Sequence, residues 1–548
     1  MPDRDGIEPL AEVAARDYLA ARGVALVPAT LVRNHDELEK AVREHGDDLI
    51  LKVAAPWLIH KSDLGLVRAV RDTAARSCFD ELVEASADHG SIDGVLVSPR
   101  VAGVEFIVGA RRDAALGPFI LVGAGGILVE VLDDVAVAPA PIDHAGALDL
   151  VALLRASALL EGRRGAPTRD IDGLARLVTM VSQLAASDPD LIELDLNPVI
   201  VGDRHAVAVD ARAVVSREVQ RSHPRRARDL RRLFDPGSIA VVGASTDPNK
   251  LGARVVRYLV ERGFPGRVVP IHRTAAEIHA CPTVGSIADA GQIDVASIVV
   301  PPTAVVSALE ECAAAGIPHA IVHTSGFAES GRDGILAQER VVATAERGRL
   351  DVLGPNSLGI ISPATRTFTS FAGALESSRI LPGRIGFVSQ SGAIASALLS
   401  RSADDGIGFS RWVSSGNEAD LDLADVVEFL ASDPETAVIA MFVEQIRDGD
   451  AFRGAVREAL HAGKPVLAFK SGRSEAGRQI TRSHTGALAG DDRLYSAFFT
   501  DAGVVRVTSI RDLLDAARVL ATSPSAKGRR LGAITMSGGA SSVIADVA

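Results

Sequence analysis

The sequence predicts a multidomain α/β protein whose strands lie in mostly parallel sheets. Three observations predict it. Short apolar runs alternate with amphipathic stretches almost throughout, at Leu49–Val53, Phe119–Val122, Ile239–Val242, Ala296–Val300, His319–His323, Arg384–Val388, Val438–Val443, Pro465–Phe469 and Leu531–Thr535. Most runs end in Gly, Ser or Pro before the helical stretch begins, the rhythm of strand–turn–helix units. Fifty glycines against 4% aromatic residues supply many tight turns. At roughly 150 residues per domain, a chain of 548 residues makes three to four domains.

Composition excludes several classes. Apolar residues make up 47% and charged residues 23%, as in soluble globular proteins. Lys and Arg number 58 against 70 Asp and Glu, a net charge of −12. That balance argues against a general nucleic-acid binder, which needs a basic surface to meet phosphates. Cys78, Cys281 and Cys312 have no paired spacing, which excludes a disulfide framework and a zinc ribbon. The opening M-P-D-R-D-G-I-E has no apolar signal core, and no uncharged apolar run reaches the ~18 residues of a membrane span. The expected location is cytoplasmic, with neither nucleic acid nor membrane as partner.

Three breaks divide the chain. Residues 216–232, S-R-E-V-Q-R-S-H-P-R-R-A-R-D-L-R-R, are Arg-rich, hold a proline and lack a strand pattern. They read as an interdomain linker, a solvated helical tether rather than a basic recognition site. A softer break lies at Thr367–Leu381, and a third at Ser523–Arg530. Beyond it, L-G-A-I-T-M-S-G-G-A-S-S-V-I-A-D-V-A is one strand, one glycine turn and the start of a helix. A lone unit of that kind cannot bury its apolar face, so this segment reads as the start of an incomplete domain.

The run D-P-G-S-I-A-V-V-G-A-S-T-D-P-N-K-L-G at 235–252 places a glycine turn between a strand and a helix. A helix N-terminus offers free N–H groups and a positive dipole end to phosphate. The strict G-x-G-x-x-G is absent. Gly243, Ala244 and Ser245 are followed by Lys250 and Gly252, and no acid closes the next strand to hold a ribose hydroxyl. A phosphate-rich ligand other than NAD is expected, the alternative being a bare strand–helix turn.

In R-S-H-T-G-A-L-A-G, His484 stands among small residues that let a ligand approach closely. Forty residues upstream, Glu444 closes the strand I-A-M-F-V-E, where open α/β sheets build their sites. A carboxylate there can accept Nδ1–H from the ring and leave Nε2 as nucleophile. The turns V-S-Q-S-G (Ser391, Gly392) and M-S-G-G (Gly538, Gly539) each open a helix. Two helix N-termini facing one histidine would stabilise a phosphoryl group on it. The plainer reading of a single histidine is an ordinary surface or core residue.

Near the N-terminus, Lys52 lies on a strand and His60-Lys61-Ser62-Asp63 in a loop. In E-L-D-L-N-P-V-I-V-G-D-R-H-A-V-A-V-D-A-R, Asn197 and Asp210 suit an antiparallel hairpin offering two oxygen ligands to Mg²⁺. A strand lysine, a loop and an acid/amide hairpin together suggest an ATP site.

Taken together these segments resemble the NDP-forming acyl-CoA synthetases, the superfamily of ADP-forming acetyl-CoA synthetases and succinyl-CoA synthetase. L-K-V-A-A-P-W-L-I-H-K-S-D-L-G, G-V-E-F-I-V-G, G-A-G-G-I-L-V-E-V-L-D-D-V and E-L-D-L-N-P resemble its ATP-grasp half. G-A-S-T-D-P-N-K-L-G, T-S-G-F-A-E and G-P-N-S-L-G resemble its CoA-binding domain; S-Q-S-G, G-N-E-A-D-L-D-L-A-D and S-H-T-G-A-L-A-G resemble its flavodoxin-like domain. The resemblance implies an ATP-grasp domain at 1–215, the linker at 216–232 and a Rossmann-like CoA-binding domain at 233–375. It further implies a flavodoxin-like phosphohistidine domain at 380–525 and the start of a truncated last α/β domain at 529–548.

Residue roles follow from the resemblance. His484 is implied to be the phosphorylated histidine, Glu444 its orienting carboxylate and His60 a second histidine in phosphoryl relay. Lys52 is implied to contact ATP phosphates, with Ser98 and Glu105 on the adenosine side of the cleft. Asn197 and Asp210 are implied to hold Mg²⁺. Gly243, Ala244, Ser245 and Lys250 are implied to meet CoA, and the turns at Ser391-Gly392 and Gly538-Gly539 to hold the phosphoryl group. The implied reaction joins a small carboxylic acid to CoA with ATP, giving ADP and phosphate through acyl phosphate and phosphohistidine intermediates. The acid is not legible, and oligomeric state stays open, a homo-oligomer included.

Two positions depart from the family pattern. Leu66 replaces the second glycine of H-K-S-D-V-G-G-V, and His272-Arg273 replaces an Asn-Pro. With the short last segment they motivate a rival reading, a catalytically silent CoA- and nucleotide-binding regulator.

Overall fold

The computed structural model describes residues 7–55, 64–87, 90–125, 134–162, 167–216, 225–377, 379–474, 476, 491–523, 528 and 530–547. His60 and His484 lie outside the described residues.

Residues 7–216 form two sheets, both antiparallel. The larger runs Ile7–Leu10, Arg212–Ser216, Leu191–Val201, Val104–Asp113, Gly117–Ala124, Val135–Pro139, and Ala206–Ala208 pairs with Leu191–Val201. The smaller runs Thr30–Val32, Gly94–Pro99, Asp48–Ala54, Val67–Arg71. The expectation of mostly parallel sheets therefore fails in this half. Short connections account for the hairpins, such as Val104–Asp113 with Gly117–Ala124, while pairs such as Ile7–Leu10 with Arg212–Ser216 are antiparallel across long sequence distances. Asp113 shows how such a turn is fixed: its carboxylate accepts from Ala115 N and Leu116 N, both at 2.9 Å. Helix Ile171–Ser187 covers the larger sheet with Leu174, Val178, Val181 and Ala185, one stripe at helical spacing. Asp170 caps it by accepting from Gly173 N at 2.8 Å.

After residue 237 the strand–turn–helix rhythm holds. Five parallel strands run Arg267–Ile271, Ser238–Val242, Val295–Ile298, His319–Val322, Asp351–Leu353. A seven-stranded sheet follows: Thr367–Ser370, Gly359–Ser362, Phe409–Ser414, Pro382–Ser389, Val438–Val443, Val466–Lys470, Val505–Val507. Its last five strands are parallel. Gly359–Ser362 and Thr367–Ser370 join it antiparallel, so one strand before the break at Thr367–Leu381 and one at its start already belong to this sheet. The units interlock elsewhere too. Leu116 and Phe119 of the first half share one core with Phe452, Leu494, Phe498 and Phe499.

Two expectations are corrected. Residues 225–230 of the Arg-rich linker are no solvated tether, although Arg231 and Arg232 at its end are helical and exposed. Residues 225–230 carry no helix, and their arginines lie on a cluster of acids from both later sheets. Arg225 forks onto Asp422 at 2.7 and 2.8 Å; Arg228 forks onto Asp420 at 2.7 and 2.9 Å and reaches Asp351 at 2.8 Å. Arg226 also pairs with Asp351. These acids stand more than 120 residues away in sequence, so a local charge count misses them. The second correction concerns Leu531–Thr535, which forms no strand. Helix Gly538–Val547 does form, but it buries no residue, and Ile534 and Met536 are fully exposed. A strand there has no neighbour among the described residues with which to pair.

No helix among the described residues is long and apolar enough to cross a membrane.

Candidate functional site

The smaller N-terminal sheet brings Lys52 to the hairpin of the larger one. Lys52 is 4% exposed. Its ammonium donates to Val209 O at 3.0 Å, pairs with Glu12 and stands 3.5 Å from Asp210. Arg16 locks the same corner, donating to Val27 O at 2.9 Å and Val209 O at 2.7 Å. Glu12 and Arg16 were not singled out from the sequence; their one signal is a polar pair at i, i+4 on an otherwise apolar helix start.

Asn197 lies within Leu191–Val201 rather than at a strand end. Register nevertheless places it well. Val199 pairs with Ala208 and Asp195 with Arg212, so Asn197 falls opposite Asp210 between them. Opposite residues of an antiparallel pair share a face. Both offer oxygen donors, the ligand chemistry Mg²⁺ takes. Next to them burial, then Glu193 and Asp210, pushes the Asp195 carboxyl up to about 6. Ser98 is buried in Gly94–Pro99, and Glu105 is exposed at the start of Val104–Asp113, on the chain crossing from the smaller sheet to the larger. Leu66 is fully buried in the core of the smaller sheet, so its departure from glycine serves packing.

The turn after Ser238–Val242 is built for close approach. Gly243 has φ +89°, and a Cβ on it would stand 2.8 Å from Val299 O. Gly252, in the first turn of helix Leu251–Glu261, would carry a Cβ 2.1 Å from Gly243 O. Only glycine lets this helix start lie on the turn. Ala244 is buried, Ser245 Oγ accepts from Asp247 N at 3.1 Å, and Lys250 is the exposed residue preceding the helix. His272 Nδ1 accepts from Ala275 N at 3.0 Å, so it shapes a turn and leaves Arg273 exposed.

A third cluster forms where the seven-stranded sheet ends. Ser391 caps helix Gly392–Asp404. Glu444 directly follows Val438–Val443, and its N–H donates to Gln390 Oε1 at 2.6 Å. Thus Glu444 and the Ser391 helix start are brought together. Gly538 and Gly539 are not: nothing lies within 4 Å of a Cβ on Gly538, so the second helix N-terminus is not placed here. Three motifs join instead. Asn417 donates to Glu329 and to Gln338 at 3.0 Å and accepts from Asn356 at 3.3 Å. Burial pushes the Glu329 carboxyl up, but the bonds from Asn417, Gly326 N and Phe327 N outweigh it and hold the group below its usual value. Asn356 and Glu418 have φ +59° and +54°, a conformation costing about 1 kcal/mol or more and common where sites demand it.

Lys470, missed in the sequence, is 2% exposed at the end of Val466–Lys470, in register with the residue before Glu444. Burial pushes its ammonium down to about 8 against the pull of Asp492 and Glu444. Burial and Asp422 push Glu418 up to about 8. A carboxyl raised in the folded state stabilises the fold fully below about 4.5, and that stability is lost as pH rises to about 8. Glu418→Gln should therefore flatten the fall in stability between those values, read as the difference in urea midpoint from the parent protein. Equal slopes in parent and variant would contradict the assignment.

Comparison with known proteins gives the family of each part of the chain. The ATP-grasp domain family matches residues 3–215, the CoA binding domain family 237–363, and the succinyl-CoA ligase like flavodoxin domain 382–520. An ADP-forming acetate–CoA ligase II of Archaeoglobus fulgidus is 32% identical over 96% of this chain and 77% of its own length. The chain belongs to the NDP-forming acyl-CoA synthetases. The alpha subunit of an ADP-forming acetate–CoA ligase I of Pyrococcus furiosus is 36% identical, over 58% of this synthetase and 69% of the subunit. A solved acetyl-coenzyme A synthetase 1 of Ca. Korarchaeum cryptofilum, in its apo form, matches with TM-score 0.55 and 36% identity, over 58% of this chain and 69% of that one. The same enzyme in complex with phosphate and ADP matches with TM-score 0.52 and 37% identity, over 55% and 64%.

Proposed function

We propose that this protein is an ADP-forming acyl-CoA synthetase acting on a small carboxylic acid, CoA and ATP. The carrying observation is the meeting of Glu444 with the Ser391 helix start at one sheet edge, through Gln390. That edge is also where Val466–Lys470 ends, the strand preceding the segment that bears His484.

In this reading His484 Nε2 attacks the γ-phosphorus of ATP, and ADP leaves with the bond's electron pair. Glu444 accepts Nδ1–H and disperses the charge that develops on the ring. A carboxylate oxygen of the acid then takes the phosphoryl group from Nε2, giving an acyl phosphate. The CoA thiolate attacks its acyl carbon and phosphate leaves. The N–H groups at Gly392 stabilise the phosphoryl oxygens. Lys52 leaves Glu12 and Asp210 to meet ATP phosphates; Ser98 and Glu105 lie toward the adenosine. Asn197 and Asp210 would hold Mg²⁺, which supplies charge neutralisation at the phosphates when bound. Gly243, Ala244, Ser245 and Lys250 meet the CoA phosphates. Because the nucleotide and CoA sites lie on different sheets, this reading requires the loop carrying His484, or a domain, to move between them.

The test is turnover with ATP, Mg²⁺, CoA and a panel of acetate, branched-chain, aryl and dicarboxylic acids. The reading expects thioester, ADP and phosphate in equal amounts. AMP and pyrophosphate, or binding of both nucleotide and CoA without turnover on any acid, would contradict it.

A further inference from the structure

The turn Ser389–Ser391 carries Gln390, a side chain to which nothing above gives a role in catalysis. Gln390 is 8% exposed, and its amide is fully used. Oε1 accepts from Glu444 N at 2.6 Å and Gln445 N at 3.0 Å; Nε2 donates to Gln445 O and to Glu418 Oε2, both at 2.8 Å. Two backbone N–H groups demand an acceptor and a carbonyl demands a donor, so the partners dictate which way the amide faces.

Behind Gln390 stands Glu418, 2% exposed. Its other oxygen accepts from Ser415 Oγ at 2.7 Å, and its left-handed backbone is pinned by Arg447, which donates to its carbonyl. The amide is therefore held from behind while it grips both N–H groups of Glu444-Gln445 and the Gln445 carbonyl in front. It is also the residue preceding the cap of helix Gly392–Asp404. One side chain thus ties the carboxylate-bearing strand end to the helix start.

We propose that Gln390, backed by Glu418, is a positioning residue that aims the Glu444 carboxylate relative to the helix N-terminus at Gly392. This rests on the reading of Glu444 as the partner of His484. Neither glutamate nor an apolar residue can replace the amide: Gln390→Glu, once ionised, lacks the two donated bonds, and Gln390→Met lacks all four.

The test uses the full chain and the initial rate of phosphoenzyme formation from γ-phosphate-labelled ATP with Mg²⁺. Gln390→Met and Gln390→Glu should slow labelling about 10- to 100-fold, the range lost when a group behind a reacting residue is removed. KM for ATP should stay within about twofold, because the nucleotide site is untouched. The acid limb of the pH–rate profile should move to lower pH, since a histidine without its carboxylate partner loses its proton more readily. In a Glu444→Gln background the Gln390 substitutions should add nothing. Equal slowing with and without Glu444, or an unmoved acid limb, would overturn this proposal while leaving phosphohistidine chemistry intact. Absence of label in the parent chain would overturn the underlying reading and this proposal together. If Gln390→Met does not fold, Gln390→Glu carries the same comparison.

Discussion

His484→Ala should abolish ATP-dependent acyl-CoA synthesis, with a loss of about 10³-fold or more, the order expected when the atom that carries a covalent intermediate is removed. The size follows from the division of labour between sites. Lys52 and the Asn197–Asp210 hairpin belong to the sheets of residues 7–216, whereas the Gly243 turn belongs to the five-stranded parallel sheet. In the proposed mechanism His484 is the one group that carries the phosphoryl between them. CoA and nucleotide affinities should stay close to those of the parent protein, because neither site contains His484. Steady-state rates beside calorimetric titrations check both halves of this expectation. Retained turnover would mean direct attack on ATP by the acid.

Arg228→Ala should be the most destabilising single change outside the cores, at about 3–5 kcal/mol. The guanidinium is 15% exposed and faces three carboxylates, with Asp420 and Asp351 at 2.7–2.9 Å and Asp425 at 3.6 Å. Removing it leaves Asp420 without its arginine and leaves Asp351 and Asp425 to the more exposed Arg226 and Arg225 alone. Burial and Asp422 already push Asp425 up to about 6, which shows how little margin the cluster has. Because Asp351 belongs to the five-stranded sheet and Asp420 follows a strand of the seven-stranded one, the loss should loosen their junction. Arg228→Lys should recover part of the loss, since a lysine keeps the charge but not the fork. Denaturant midpoints of the three proteins at one pH decide this; a shift below about 1 kcal/mol for Arg228→Ala would place the pair among weak surface bridges.

Much of the second half of the fold is legible in the residues. Val438–Val443 is the same strand by pattern and by structure, and Ile239–Val242 and Arg384–Val388 lie within theirs. Fully buried parallel strands read as unbroken apolar runs, which makes them easy to find. The first half is harder, because Lys52, Ser98 and Glu193 interrupt its antiparallel strands for the sake of the site between its sheets. The Asn197–Asp210 hairpin is legible because a short reversal fixes its register. What sequence distance hides is pairing between remote elements. Arg228 meets Asp420 across 192 residues, and Gln390 meets Glu444 and Gln445 across 54 and 55, so neither partnership leaves a local mark. Leu531–Thr535 misled for the opposite reason: an apolar run is only half of a strand, and the other half is a neighbour.

The most direct test of the account is incubation with γ-phosphate-labelled ATP and Mg²⁺, without acid or CoA, followed by mapping of the label. The account predicts one acid-labile, base-stable phosphoryl group per chain, on His484, lost on addition of ADP. Label on another residue, or none in a protein that makes acyl-CoA with ADP release, would contradict it.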